Sequence, residues 1–151
     1  MKLTQWMIPV AMVLTAGPAM ADLPGKHPGF LHALTDLRTA RWFLNHQAGD
    51  AKVYGDEDVA ISEIDAAIGE IKKAAIDDGK DLNDHPAVDT KEHGSRLLKS
   101  IETLDAAERD VKGEEDNPEV KNLRHAAFEH IKKARDAANK AHAAWLKDVK
   151  K

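Results

Sequence analysis

The chain has 151 residues, with 26 acidic against 22 basic side chains, eight histidines and no cysteine. A net charge of −4 argues against nucleic acid as a partner. The lack of cysteine excludes disulfides, thiolate nucleophiles, zinc–sulfur centres and covalent c-type haem attachment.

Met1-Lys2 is followed by an apolar run from Trp6 to Ala16, too short to cross a bilayer as a stable helix, and then by Gly17-Pro18 and Ala19-Met20-Ala21. Small residues at −3 and −1 are what signal peptidase accepts, so residues 1–21 are predicted to be a cleaved signal peptide, with cleavage before Asp22. The expected product is a periplasmic protein without a membrane anchor. Residues 22–151 suffice for one hydrophobic core and predict a single domain. Loss of Lys2 takes the net charge one unit further negative. All four methionines leave with the leader, which removes thioether ligands for haem iron or copper(I).

After a Pro/Gly-containing arm, Phe30, Ala33, Leu34, Leu37, Ala40 and Leu44 recur at three- and four-residue intervals and predict a first helix over residues 28–48. Asp56 is the candidate cap of a second helix, residues 56–78, whose stripe is Ile61, Ile64, Ile68, Ile71 and Ala75. Asp89 and Glu92 form a capping-box pattern before Leu97, Leu98, Ile101, Leu104 and Val111, predicting a third helix over residues 90–112. Asn117-Pro118 is a cap with proline at the first helical position of a fourth helix, residues 118–148. Its inner face reads Val120, Leu123, Ala127, Ile131, Ala134, Ala138, Ala141 and Trp145, a seven-residue repeat rich in small knobs. No segment alternates with period two. Connections read as short favour antiparallel neighbours, so the expected fold is an all-α, up-down-up-down four-helix bundle. Trp42, Phe43 and Trp145 read as packing at the bundle ends.

That topology would gather five histidines at one end: His27 and His32 from the first helix entry, His85 from the second connection, His93 from the third helix and His142 from the fourth. Asp36, Asp81 and Asp84 would complete the coordination or orient an imidazole. Imidazole is the borderline-soft ligand available to a cysteine-free chain, and it suits copper(II), nickel(II) or zinc(II). His46, His125 and His130 would form a smaller group towards the other end. The carboxylate-rich connection around residues 77–89 has no frame that supplies an EF-hand's ligands.

Signals of catalysis are missing. Ser62, Ser95 and Ser100 lie in helical patterns without a strand–turn–helix elbow, H-E-x-x-H is absent, and Glu129-His130 are adjacent where a di-iron bundle needs Glu-x-x-His. Haem is not expected, because only His130 falls near an apolar stripe and its neighbours are small alanines.

The segment Glu70-Ile-Lys-Lys-Ala-Ala-Ile-Asp-Asp-Gly-Lys-Asp-Leu-Asn-Asp-His-Pro86, the leader, the helix order and the Glu114-Glu115-Asp116-Asn117 entry to the fourth helix resemble a group of small exported bacterial four-helix-bundle proteins, mostly uncharacterised. The resemblance implies a fold and no activity. By architecture and composition the chain is also similar to histidine-rich periplasmic small metal-binding proteins, although its histidines are fewer and irregularly spaced.

The leading expectation is therefore a non-enzymatic periplasmic bundle that binds a divalent transition metal through one end. The alternative is an interaction or chaperone-like module that contacts another envelope protein through an exposed apolar groove, with incidental histidines. A third reading makes the histidines an acid sensor that loosens the bundle below neutral pH.

Overall fold

The computed structural model describes residues 27–45, 52–74, 77–88, 90–114 and 120–151. Four helices and no strand occur among the described residues: α1 (Pro28–Leu44), α2 (Gly55–Lys73), α3 (His93–Gly113) and α4 (Lys121–Val149). The leader, its cleavage site, His46, Asp89 and the Asn117-Pro118 cap lie outside the described residues.

The predicted stripes are largely inner faces, except that Leu98 of the third is exposed and Ala75 of the second lies outside the described residues. Phe30, Leu34, Leu37 and Leu44 from α1, Ile64, Ile68 and Ile71 from α2, and Leu97, Leu104 and Val111 from α3 meet Ile131 and the alanines of α4 in one core. Ala127, Ala134, Ala138 and Ala141 are fully buried, and these small side chains let α4 lie close against its neighbours. Burial of each large aliphatic side chain stabilises by about 1.5–3 kcal/mol.

The chain order of directions differs from the expected one. The start of α1 lies on the end of α3, where the Phe30 N–H donates to Glu114 Oε1 at 3.1 Å. The start of α2 meets the end of α4, where the Tyr54 hydroxyl donates to Asp148 Oδ2 at 3.1 Å. The start of α3 meets the start of α2, through His93 Nε2 and Glu57 Oε1 at 2.9 Å. Taking α1 as up, α2 and α3 both run down and α4 runs up. Principal contacts join α1 to α2 and α3, and α4 to α2 and α3, so α2 and α3 sit across a diagonal. The expected up-down-up-down order is corrected to up-down-down-up.

The cause is the second connection. α2 has 19 residues and is about 28 Å long at 1.5 Å per residue, a span that roughly nine extended residues can retrace. The connection from 74 to 92 exceeds that in length, and its described residues 77–88 climb back along α1. Arg38 of α1, fully buried, donates twice to Asp78 at 2.6 Å and once to the Lys80 carbonyl at 3.4 Å. Arg41 reaches Asn83 at 3.3 Å, and the Trp42 and His85 rings lie 4.7 Å apart. A connection long enough to traverse a helix no longer forces antiparallel neighbours.

Boundaries move for local reasons. α2 stops at Lys73, six residues before Gly79, whose N–H donates to Asp77 within the connection. Tyr54, not Asp56, is the N-cap of α2; Glu57 accepts the Tyr54 N–H at 3.2 Å and Asp56 falls in the first turn, where a carboxylate complements the helix dipole. α3 begins at His93 with Glu92 at its cap position.

Two glycines permit close approach of helices. A Cβ on Gly29 would lie 2.6 Å from the Asp110 carbonyl oxygen, and one on Gly94 would lie 2.3 Å from the Trp145 ring. α1 therefore seats on the end of α3, and Trp145 seats over the start of α3.

Candidate functional site

The corrected topology disperses the eight residues expected to form a metal end. His27, His32 and Asp36 stay where α1 begins, whereas His93 and His142 lie at the opposite end, and the crossover carries His85 towards that end with Asp81 and Asp84. Among the described residues no group of three or more histidine, aspartate or glutamate side chains is arranged to hold a metal ion.

Most of these groups have identifiable local partners. His27 Nδ1 is 3.0 Å from Glu114 Oε2, and the other oxygen of that carboxylate takes the Phe30 N–H. Pro28 occupies the first turn of α1 and has no N–H to satisfy, so Glu114 supplies from α3 the acceptor that α1's own N-cap lacks. His85 Nδ1 donates to the Pro86 carbonyl at 2.7 Å while its ring packs on Trp42. The His142 ring stacks on Trp145 at 5.8 Å. Asp81 accepts from the Asn83 backbone and side chain at 2.9 and 3.0 Å, closing a local turn, and the Asp84 N–H donates to the Asp81 carbonyl at 3.0 Å.

His32 and Asp36, one turn apart on α1, are the predicted pair that the fold does bring together. His32 is exposed and Asp36 half-buried. Burial, reinforced by the nearby Asp110 carboxylate, pushes Asp36 up to about 6 against the opposing pull of His32 and Arg109.

Histidine–glutamate contacts between helices replace the expected cluster. His27–Glu114 ties α1 to α3 at one end, and His93–Glu57 ties α3 to α2 at the other. His130–Glu63 ties α4 to α2 between them at 2.5 Å. The carboxylates were absent from the expected site. Nothing local in sequence marks Glu57, Glu63 or Glu114 as a histidine partner; Glu57 takes the position three beyond the cap only once Tyr54, not Asp56, is the cap.

The end where α2 and α3 start and α4 finishes carries five of the six exposed large apolar side chains among the described residues, the sixth being Leu82 in the second connection. Val53 and Val59 flank the start of α2, Leu98 lies early in α3, and Leu146 and Val149 lie in the last turns of α4. Val59 is 51 % and Val149 63 % exposed. Lys52 and the Tyr54 hydroxyl both bond Asp148, placing Val53 beside the last turn of α4. The Lys52 ammonium and the Tyr54 hydroxyl hold the Asp148 carboxyl below the usual carboxylate range. Lys147, Lys150 and Lys151 neighbour Leu146 and Val149 in sequence, and Asp56, Asp58 and Asp148 lie at the same end. The other end carries no large apolar side chain exposed to a similar degree among the described residues. No helix among the described residues is long and apolar enough to cross a membrane.

The chain matches no protein-family model, no curated protein and no solved structure.

Proposed function

We propose that this is an exported, non-enzymatic helical bundle that acts by docking another envelope protein through the end formed by α2, α3 and the last turns of α4. The supporting observation is the concentration of exposed Val53, Val59, Leu98, Leu146 and Val149 at that end. Such side chains lose little by being exposed singly but gain about 25 cal/mol per Å² when covered together. Charges of both signs around them, Asp56 and Asp58 as well as Lys147 and Lys150, favour a partner whose contact surface is apolar at its centre and polar at its rim. Export rests on the leader pattern of residues 1–21.

Site-specific photo-crosslinking in cells tests this reading. Probes at Leu146 and Val149 should give one discrete adduct that Lys112 and Lys132 probes do not, and Leu146→Glu with Val149→Glu should abolish it without moving the thermal midpoint. Equal labelling from both ends, or none, contradicts the proposal.

The competing reading is copper(II), nickel(II) or zinc(II) binding by His27, His32, His85, His93 and His142, with help from Asp36, Asp81 and Asp84. It requires ligands from opposite ends of the bundle to converge. Calorimetric titration with each ion separates the two readings. Submicromolar, stoichiometric binding lost when His32, His85 and His93 become alanine would restore the metal reading.

A further inference from the structure

Residues 77–88 of the crossover form neither helix nor strand, and none of their side chains is buried; Asp78, His85 and Val88 are half-buried and the rest are exposed. Leu82, the largest aliphatic side chain of the segment, is 39 % exposed. Among the described residues no backbone–backbone hydrogen bond joins this strap to a helix. Side chains of α1 hold it instead: Arg38 on Asp78 and the Lys80 carbonyl, Arg41 on Asn83, and Trp42 on His85. The burial of apolar surface that fixes the four helices contributes little to the strap.

The face of α1 beneath the strap is built to receive a carboxylate. Arg38 and Trp42 stand one turn apart, with Arg41 beside them. Neighbouring Thr35 and Thr39 return their hydroxyls to carbonyls of α1 itself, at 3.3 and 2.8 Å, so the guanidiniums are the groups here that call for an outside acceptor. Arg38 presents its fork to the two oxygens of Asp78 in bonds of 2.6 Å, a geometry that recognises a carboxylate of any origin. Its Nε is buried without an acceptor, so the strap leaves one donor of the face unused. The strap itself carries Asp77, Asp78, Asp81 and Asp84 against the single Lys80.

We propose that residues 77–88 are a built-in acidic ligand, and that an extended acidic segment of a partner displaces them from the Arg38, Arg41 and Trp42 face of α1. Arg38 has no exposed surface with the strap in place, so the face is closed until the strap lifts. Exchange swaps one carboxylate for another and leaves the guanidinium paired, whereas a neutral or basic segment would strand it. The strap is tethered at both ends, and its high effective concentration keeps the face closed against a weak competitor. This face is separate from the exposed apolar cluster, so either proposal can fail alone.

A free peptide with the sequence of residues 77–88 tests this by NMR titration, read at the Arg38 Nε–H and the Trp42 indole. The Asp78→Ala protein, whose strap lacks its anchor, should bind the peptide saturably, and should bind the same peptide carrying Asp78→Asn roughly tenfold more weakly. The intact protein should bind the unaltered peptide roughly a hundredfold more weakly than this variant does, because its own strap competes. Penta-aspartate should move the same two signals, and added salt should weaken both ligands. Asn83→Ala with His85→Ala keeps the buried pair but loosens the rest of the strap, so its affinity should fall between the other two; it carries the test if Asp78→Ala does not fold. Absence of saturable shifts in both variants, or equal affinity in the intact protein and the variants, overturns the proposal. So does binding of the strap peptide without binding of penta-aspartate, which would make the strap a structural clamp only.

Discussion

Replacing Asp78 by alanine removes the anion that faces Arg38 and leaves a guanidinium with no exposed surface whose remaining hydrogen bond among the described residues is to the Lys80 carbonyl at 3.4 Å. The two lost bonds are both 2.6 Å long, and the Asp78 side chain is itself only 12 % exposed. Arg38 Nε is buried without a partner even in the intact protein, so no spare acceptor stands by. Breaking a buried pair from one side typically costs about 3–5 kcal/mol, a large part of the roughly 5–15 kcal/mol that holds a domain together. At about 4 °C per kcal/mol the thermal midpoint should fall by about 12–20 °C. Urea denaturation followed by circular dichroism measures the loss directly. Arg38→Met combined with Asp78→Ala should recover more than half of it, because an apolar side chain carries no charge to strand. The pH dependence has a definite sign. The Arg38 guanidinium holds the Asp78 carboxyl below the usual range, so the pair's contribution is present above about pH 4 and is lost as pH falls through the depressed folded value. A loss below about 1 kcal/mol for Asp78→Ala at pH 7, or one that does not shrink in acid, would refute the claim that this pair pins the crossover.

Asp36 works in the opposite sense. Its folded pKa of about 6 exceeds the unfolded 3.8, so stability falls as pH rises from about 4 to 6 and the ionised group remains a cost above that. Asp36→Asn should stabilise the protein at pH 7.5 by roughly 1 kcal/mol, allowing for solvent screening of a half-exposed group, and flatten the urea midpoint between pH 4 and 6; an unchanged profile would contradict this. Glu114→Ala should cost about 1–2 kcal/mol by stripping the acceptor from α1's first turn. Hydrogen exchange should then accelerate at Phe30 while α2 stays protected. Gly94→Ala gains helix propensity but drives a Cβ into the Trp145 ring. Overpacking of about 1–3 kcal/mol outweighs roughly 1 kcal/mol of propensity, so NMR should register a net loss of stability together with a displaced Trp145 indole signal.

Periodicity alone was enough to read the all-helical class and most of the core. Ile64, Ile68 and Ile71, or Ala127, Ile131, Ala134, Ala138 and Ala141, can share one face only on a helix, and each is buried as that face demands. Helix direction was not legible, because a turn signal marks where a helix stops and not where the chain goes next. The connection from 74 to 92 is long enough to return along α1, and what holds its described part, residues 77–88, there is Asp78 on Arg38, a contact between residues 40 positions apart. The histidine site failed with the topology: once α3 runs parallel to α2, His93 meets Glu57 at one end while His27 meets Glu114 at the other. Composition and spacing determined what each helix buries. Only tertiary structure decided which helix ends meet, because that depends on long-range pairs whose partners carry no local mark in the sequence.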